Sequence, residues 1–570
     1  MDKRILPLMS ILTILGCGGG GDAGPGEAGM EMLAPGITAS DLEARVAKFE
    51  PAEIDFDDSV LEPWERAVIT KLVAATDLVH AVFQQQVSPE NPAWRQQLAQ
   101  ETGPGAEAAK TYFDIMVGPW DRLEHDEPFL DVGPKPPGAG YYPADLTKEE
   151  FDRWVESHPE QKEALTGYFT VIRRTSDGLD AVPYSSAYAE SLGQIASLLR
   201  EAADLSQNPS LSDYLRKRAA AFLSNDYYES DLAWMDITGS RIEPTIGPYE
   251  VYEDNLFGYK AAFESFITVA DSAASAALQQ LKDHLPALER QLPIDDRYKN
   301  PDRGFESPIR VVDEVYTGGD TRAGVQTTAF NLPNDVRVQE QKGSKKVMLR
   351  NVSRAKFERI LTPIGREVLA QDLVSSIDFT PWFTNVVMHE LAHGLGPGTI
   401  TLPSGEKTTV NRALREHYSA LEEAKADVTG LHNLSMLEKE GVYDSAFVRA
   451  AYVGHVADLF RAVRFGTAEA HGKANLIQFD WLREKGALHY DETTGRFDGD
   501  LAAIVAANRD LAHEILTIQA TGDYDRAVQF IARYTTMRPE LQSTLDRLSG
   551  VPVDIRPDYR VKDKMSGWVN

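Results

Sequence analysis

A single cysteine, Cys17, is all that this 570-residue chain contains, which excludes a disulfide framework, an iron–sulfur cluster and a cysteine-built zinc site. Any metal held by the chain must rest on histidine and carboxylate. Cations are scarce relative to anions: 58 lysines and arginines stand against 87 aspartates and glutamates, a net charge of −29. A surface that acidic repels phosphate backbones and anionic headgroups, so nucleic acid is not expected as a partner. Long apolar runs are missing after the first residues, and no later segment reads as long enough for the ~20 helical residues that cross a bilayer. The 31 prolines are dispersed, and with 42% hydrophobic and 25% charged residues the composition is that of a folded globular protein. At roughly 100–200 residues per domain, two or three packed units are expected.

The cysteine closes a recognisable leader. Lys3 and Arg4 precede an apolar run from Ile5 to Leu15, and Ile14-Leu15-Gly16-Cys17 follows. A cationic start, an apolar stretch too short to span a bilayer and a small residue before the cut describe a bacterial lipoprotein signal over 1–17, with Cys17 lipidated. The alternative is an ordinary secretory leader whose cysteine is incidental. Both export the protein, to a membrane-anchored position facing the periplasm or cell exterior in the first case. Residues 18–38, with Gly18-Gly19-Gly20-Gly21 and Gly24-Pro25-Gly26, are predicted to form a flexible tether.

From about Ser40 the apolar spacing is mostly helical, as in Leu42, Val46 and Phe49, and Thr147 with Glu150 carries a capping-box signature. Strand-like segments cluster at Ile309–Tyr316, Val325–Phe330 and Lys346–Leu349, broken by Gly318-Gly319 and Gly324. Helical patterning resumes near Arg354 and runs to about Tyr534, after which Pro539, Pro552 and Pro557 punctuate a tail. The predicted fold is α+β and predominantly helical, two lobes with a cleft between them. The mixed lobe, with a small sheet or barrel, takes 39–270, 307–354 and 536–570; the helical lobe takes 271–306 and 355–535.

The sharpest local signal is His389-Glu390-Leu391-Ala392-His393. On an α-helix the two histidines lie one turn apart on one face, so both imidazoles reach one zinc ion and Glu390 sits beside its water. No charged residue occurs from Pro381 to Met388, as burial of such a helix requires. His513-Glu514 is a built-in control, because Thr517 stands where a second histidine would be, and it reads as a solvated helix face. A catalytic site needs a third ligand. Thirty residues past His393 comes Glu422-Glu423-Ala424-Lys425-Ala426-Asp427, where Glu423 and Asp427 share a face, one able to bind metal and the other to accept an imidazole N–H. Glu422 is the next candidate, and Ala420, Ala424 and Ala426 suit close helix packing.

These residues resemble the dipeptidyl peptidase III family of zinc exopeptidases, whose second motif is Glu-Glu-Cys-Arg-Ala-Glu or Asp. The resemblance implies that Glu423 is the third ligand, with Asp427 and Glu422 behind the ligands. Glu250-Val251-Tyr252-Glu253-Asp254 is similar to the family segment whose glutamate holds the substrate amino terminus and whose tyrosine meets the scissile carbonyl. Asn331-Leu332-Pro333-Asn334 is similar to the segment whose asparagines also grip that terminus, and Ala470-His471 to the one carrying a histidine that stabilises the transition state. Two departures stand out: the usual motif has one more residue between its histidines, and Asn475 replaces an arginine. Read alone, Tyr252 fits a core position, Asn331 and Asn334 a turn around Pro333, and His471 a helix cap.

The implied function is a zinc-dependent exopeptidase, one Zn2+ per chain, acting on short peptides with a free amino terminus and most simply releasing dipeptides. Glu390 would shuttle the water proton to the leaving amine while Tyr252 and His471 donate to the oxyanion. Glu250, Asn331 and Asn334 would accept from the peptide ammonium. A zinc aminopeptidase or endopeptidase with the same site, or a non-catalytic peptide-binding lipoprotein, are the alternatives.

Overall fold

The structure is a computed structural model that describes residues 32–300, 309–464, 466 and 470–568; the leader, Cys17 and the tether as far as residue 31 lie outside the described residues. The expected tether ends sooner than residue 38, because Leu33 forms a bridge with Leu130 and Ala34 N–H donates to the Phe129 carbonyl. The short helix Ala39–Val46 follows, but Phe49 belongs to strand β1 (Phe49–Ile54). Thr147 Oγ1 caps the Glu150 N–H, whereas the Glu150 carboxylate turns to Arg174, so only half of the expected capping box forms.

Helix α1 (Pro63–Val87) starts at Pro63, whose missing N–H falls in the first turn where no partner exists. At 25 residues it is apolar and long enough to meet the length and composition of a membrane span, which corrects the expectation that no such segment follows the leader. Its place is the core: Val68, Ile69, Leu72, Val79 and Val82 are buried against helix α2 (Ala189–Leu205) and the central sheet.

That sheet has five strands: β2 (Ile242–Glu250), β3 (Ala262–Ala270), β4 (Ile309–Gly319), β5 (Ala329–Leu332) and β6 (Lys345–Leu349), ordered β2-β3-β4-β6-β5. β6 is parallel to β4, and the other pairs are antiparallel. Strands β2 and β3 fall in a stretch expected to be mainly helical, and the segment expected at Val325–Phe330 pairs instead as Ala329–Leu332. Pro244 and Pro248 obscure β2, and the strand tolerates them because it is an edge. The sheet is strongly curled. Lys345 Nζ on β6 reaches Glu243 Oε1 on β2 at 2.5 Å, Phe266 on β3 stacks on Phe330 of β5 at 4.3 Å, and Asn334 Nδ2 donates to the Tyr249 carbonyl at 3.0 Å.

Helix α3 (Ser272–Arg290) leaves β3 for the helical lobe, where Glu289 accepts from the Gly396 and Asn300 N–H groups. That lobe is built on α4 (Phe379–Ala392), α5 (Tyr418–Lys439), α6 (Ser445–Val463), α7 (Ala470–Glu484) and α8 (Leu501–Thr521). α5 lies at its centre, packed on α4, α7 and α8. The proline-marked tail is ordered: a helix begins at Pro539, and β7 (Asp554–Tyr559) returns to pair in parallel with β1. The architecture is thus α+β and predominantly helical, a sheet-bearing lobe beside a helical one.

The Lys345–Glu243 pair, 1% and 3% exposed, ties non-adjacent strands and generates a prediction. Lys345→Met alone leaves a buried carboxylate without its cation and should destabilise by about 3–5 kcal/mol. Replacing both partners with apolar residues should recover most of that loss. Urea unfolding followed by tryptophan fluorescence checks both.

Candidate active site

Helix α4 is capped at its start by Asp378, whose carboxylate accepts the Thr380 N–H, and buries Phe379, Trp382, Phe383 and Met388. It ends with Ala392; His393 is the C-cap, and its N–H still reaches the His389 carbonyl at 3.2 Å. Both histidines therefore lie on one face. Carbonyls at this end have no donor within the helix. Lys425 Nζ takes up the Ala392 and Leu395 oxygens, and Lys346 Nζ the Glu390 oxygen at 3.1 Å. Helix α5 crosses α4 closely at Gly430, where a Cβ would lie 3.0 Å from the His389 nitrogen. A side chain there would crowd the α4 backbone, and the close crossing brings the acidic face of α5 under the two imidazoles.

Each imidazole is held by its Nδ1. Asp427 Oδ1 is 2.7 Å from His389 Nδ1, and Glu422 Oε1 is 2.9 Å from His393 Nδ1. With each Nδ1 facing a carboxylate, the two Nε2 atoms are turned toward each other, 3.2 Å apart. Glu423 Oε2 lies 3.3 Å from His389 Nε2, 3.8 Å from His393 Nε2 and 3.3 Å from His471 Nε2, buried and without an aligned hydrogen bond. Three ligand atoms within 4.8 Å of one another, aimed at a common point, fit a divalent cation. The electrostatics agree. Burial works against a charged ring, but Asp427, then Glu423 and Glu390, push His389 up to about 10, and surroundings that retain a proton so firmly favour a metal ion in its place. Burial likewise opposes ionisation of Glu423 and Glu422. His389 and His471 nevertheless draw Glu423 far below the carboxylate range, and Lys425 with His393 brings Glu422 to about 2.

The other sequence-predicted residues divide into two groups. Glu390 stands at the metal group, its carboxylate 2.7 Å from Lys346 Nζ; burial raises it, and Lys346 followed by His389 outweighs burial. His471, in the first turn of α7 and largely exposed, leans on Glu423, and Asn475 Nδ2 donates to the His471 carbonyl. Glu250 and Asn334 meet at the end of the sheet, Asn334 Nδ2 lying 3.5 Å from Glu250 Oε1. Asn331 is exposed on the edge strand β5, in register with Lys346. Tyr252 is 77% exposed in the turn after β2, so it is no core tyrosine, and it makes no hydrogen bond to the metal group. His513 and Glu514 bond instead to the Pro293 carbonyl and Arg526.

Several residues of the site carry no motif. Gln478 Nε2 donates to Asp427 Oδ2 at 2.8 Å, and its Oε1 is 2.7 Å from His455 Nε2. Spacing offers no clue to either, since each is polar and buried inside a helix that reads as core. Glu264, buried on β3, and the half-buried Asp320 just past β4 lie close enough to Glu250 to feel its charge. Burial, then Asp320 and Glu250, raises Glu264 well above the carboxylate range; burial, then Glu253, raises Asp320 to about 7. The signal for Glu264 was a glutamate inside an apolar run, Phe263-Glu264-Ser265-Phe266. Lys346 is the fifth such residue.

Two imidazoles, a carboxylate and a neighbouring glutamate at one point define a metal-dependent hydrolase, here built between two lobes. Residues 148–407 match the model of Peptidase family M49. Dipeptidyl peptidase III from Caldithrix abyssi has the same fold at a TM-score of 0.89 and 47% identity, covering 92% of this chain and 100% of that one. The enzyme from Corallococcus sp. strain EGB gives 0.78 and 41%, covering 94% and 100%. Nudix hydrolase 3 of Arabidopsis thaliana is 38% identical over 92% of this chain and 74% of that protein. The chain belongs to peptidase family M49, the dipeptidyl peptidase III family, and is a metallopeptidase.

If Asp427 fixes the His389 ring for a metal, Asp427→Ala should weaken zinc affinity about 10–100-fold while leaving the fold intact. Chelator competition measures this, and unchanged affinity would assign Asp427 a purely structural part.

Proposed function

We propose that this protein is a zinc-dependent exopeptidase that removes dipeptides from the free amino terminus of short peptides. The observation that carries the reading is the pairing of the His389, His393, Glu423 group with an acidic, partly shielded pocket at the end of the sheet, where Glu250 and Asn334 meet with Glu264 and Asp320 nearby. Zinc bound to those three side chains would supply a Lewis acid that polarises the scissile carbonyl and acidifies a water. Glu390 takes a proton from the attacking water and delivers it to the leaving nitrogen as the C–N bond breaks. Tyr252 and His471 donate to the carbonyl oxygen as its charge develops.

The substrate end of the reaction belongs to the sheet lobe. β5 is an edge strand, and a peptide added beside it is held through main-chain hydrogen bonds, which leaves side-chain preference broad. A peptide ammonium finds an accepting carboxylate in Glu250 and amide oxygens in Asn331 and Asn334. Burial raises the Glu250 carboxyl, with the Asn334 contact acting against it; a cation placed there restores the charged form. Acetylating the amino terminus removes that cation. Acetylated tetra- to octapeptides should be cut far more slowly than free ones, with dipeptides as the first products of the latter by mass spectrometry. Equal cleavage of both at internal bonds would make the enzyme an endopeptidase, and loss of single residues would make it an aminopeptidase.

The leader adds a location to the proposal. Signal cleavage leaves Cys17 as the first residue, lipid-modified, so that the enzyme is exported and anchored outside the cytoplasmic membrane. Cys17→Ser should move the activity from the membrane fraction to the soluble one in cell fractionation. Activity that stays with the membrane in that variant would overturn the anchor.

A further inference from the structure

Lys346 connects the two halves of the site. It lies on β6 of the sheet lobe, and its Nζ donates to Glu390 Oε2 at 2.7 Å and to the Glu390 main-chain oxygen at 3.1 Å. Both side chains are largely withdrawn from solvent, 18% and 23% exposed. The main-chain contact supplies a donor to the end of α4. The side-chain contact occupies one carboxylate oxygen and leaves Oε1 without a hydrogen bond among the described residues. A charge-assisted bond of this length restricts a side chain with three rotatable bonds far more than solvent would.

The backbone register gives the contact a second consequence. Lys346 pairs with Asn331 across the antiparallel β5–β6 ladder, so the two side chains rise from the same face. Lys345, one residue earlier, projects to the opposite face and is spent on Glu243. Adjacent lysines thus serve different ends: Lys345 closes the curl of the sheet, and Lys346 leaves the lobe to meet the metal-binding helix. A peptide laid along β5 is then held by the same ladder that holds Glu390.

We infer that Lys346 is a positioning residue, which fixes the Glu390 carboxylate and sets the peptide-bearing edge strand at a constant distance from it. The inference rests on the general-base reading of Glu390 given above. It explains why an otherwise solvent-seeking ammonium is partly buried against the proton-transfer group. The lysine needs no contact with the reacting atoms, since a misplacement near 1 Å at the base is enough to lower the rate substantially.

The test uses the full zinc-loaded chain with Lys346→Met and Lys346→Arg beside wild type and Glu390→Gln. Lys346→Met should keep wild-type zinc content and zinc affinity and lower kcat about 10–100-fold, with KM held within about threefold. Lys346→Arg retains the charge with a different fork and should recover part of the lost kcat. Unchanged kcat in the Met variant, a rise in KM at constant kcat, loss of zinc, or equal kcat in the Met and Arg variants would each overturn the inference. If Lys346→Met does not fold, Lys346→Gln, uncharged and one atom shorter, is expected to lower kcat at wild-type zinc content and with KM held within about threefold. Glu390→Gln separates the two levels: wild-type turnover there removes the general-base reading itself. A dead Glu390→Gln beside a fully active Lys346→Met removes only the positioning role.

Discussion

Negative charge is concentrated where α4 and α5 touch, and much of the molecule is arranged to tolerate it. Glu422, Glu423, Asp427 and Glu390 converge on two imidazoles in a region mostly shut off from water. Left to themselves these groups would repel one another at short range in a medium of low dielectric. The fold answers with cations and donors placed one by one: Lys425 and Gln519 at Glu422, Gln478 at Asp427, Lys346 at Glu390. Glu423 Oε2 is left with imidazole nitrogens and, among the described residues, no aligned donor. The shortfall sits where a divalent ion would bind, so the protein partners satisfy the surroundings of the site and leave its centre for the metal.

The sheet lobe solves a different problem. Its curled sheet is kept from opening by buried polar ties and not by apolar packing alone. Lys345 to Glu243 and Asn334 to the Tyr249 carbonyl link strands that are not neighbours in the sheet order. Those ties draw the loop after β5 toward the end of β2, and so bring Asn334 to Glu250. Residues 84 apart in sequence thereby share one pocket. The meeting of Asn334 and Glu250 is a consequence of how the sheet closes.

What could be read from the sequence follows the range of the interaction. His389, Glu390 and His393 were legible because their chemistry repeats at the period of a single helix, and Glu423 and Asp427 because theirs does too. β4 was legible from its β-branched residues and β6 from the short apolar run Val347-Met348-Leu349. β2 and β3 were not, since burial on both faces admits Glu243, Thr245, Glu264 and Thr268 at positions that alternation would assign to solvent. Gln478 and His455 act through a relay that crosses from α5 to α7 to α6, and Lys346 acts across 44 residues from another lobe. No local period encodes such contacts. The long apolar α1 erred the other way: its composition allows a bilayer, but α2 and the sheet supply the apolar surroundings instead.

The shorter spacing between the histidines becomes intelligible from the helix itself. Four positions separate His389 from His393, the ordinary α-helical repeat, and the backbone needs no bulge to bring both rings to one side. His393 stands at the C-cap with αR dihedrals of −57° and −33°, so the second imidazole is carried by the last helical bond and not by a helix interior. A ligand at a fraying end requires outside restraint. Lys425 supplies it at the Ala392, His393 and Leu395 carbonyls, Glu422 at the His393 ring, and Glu289 at the Gly396 N–H that follows. A cation at the carboxyl end also opposes the negative pole of the helix. The end of α4 is therefore held by contacts drawn from α5 and α3, and the placement of the His393 ring depends on those two helices as much as on the one that bears it.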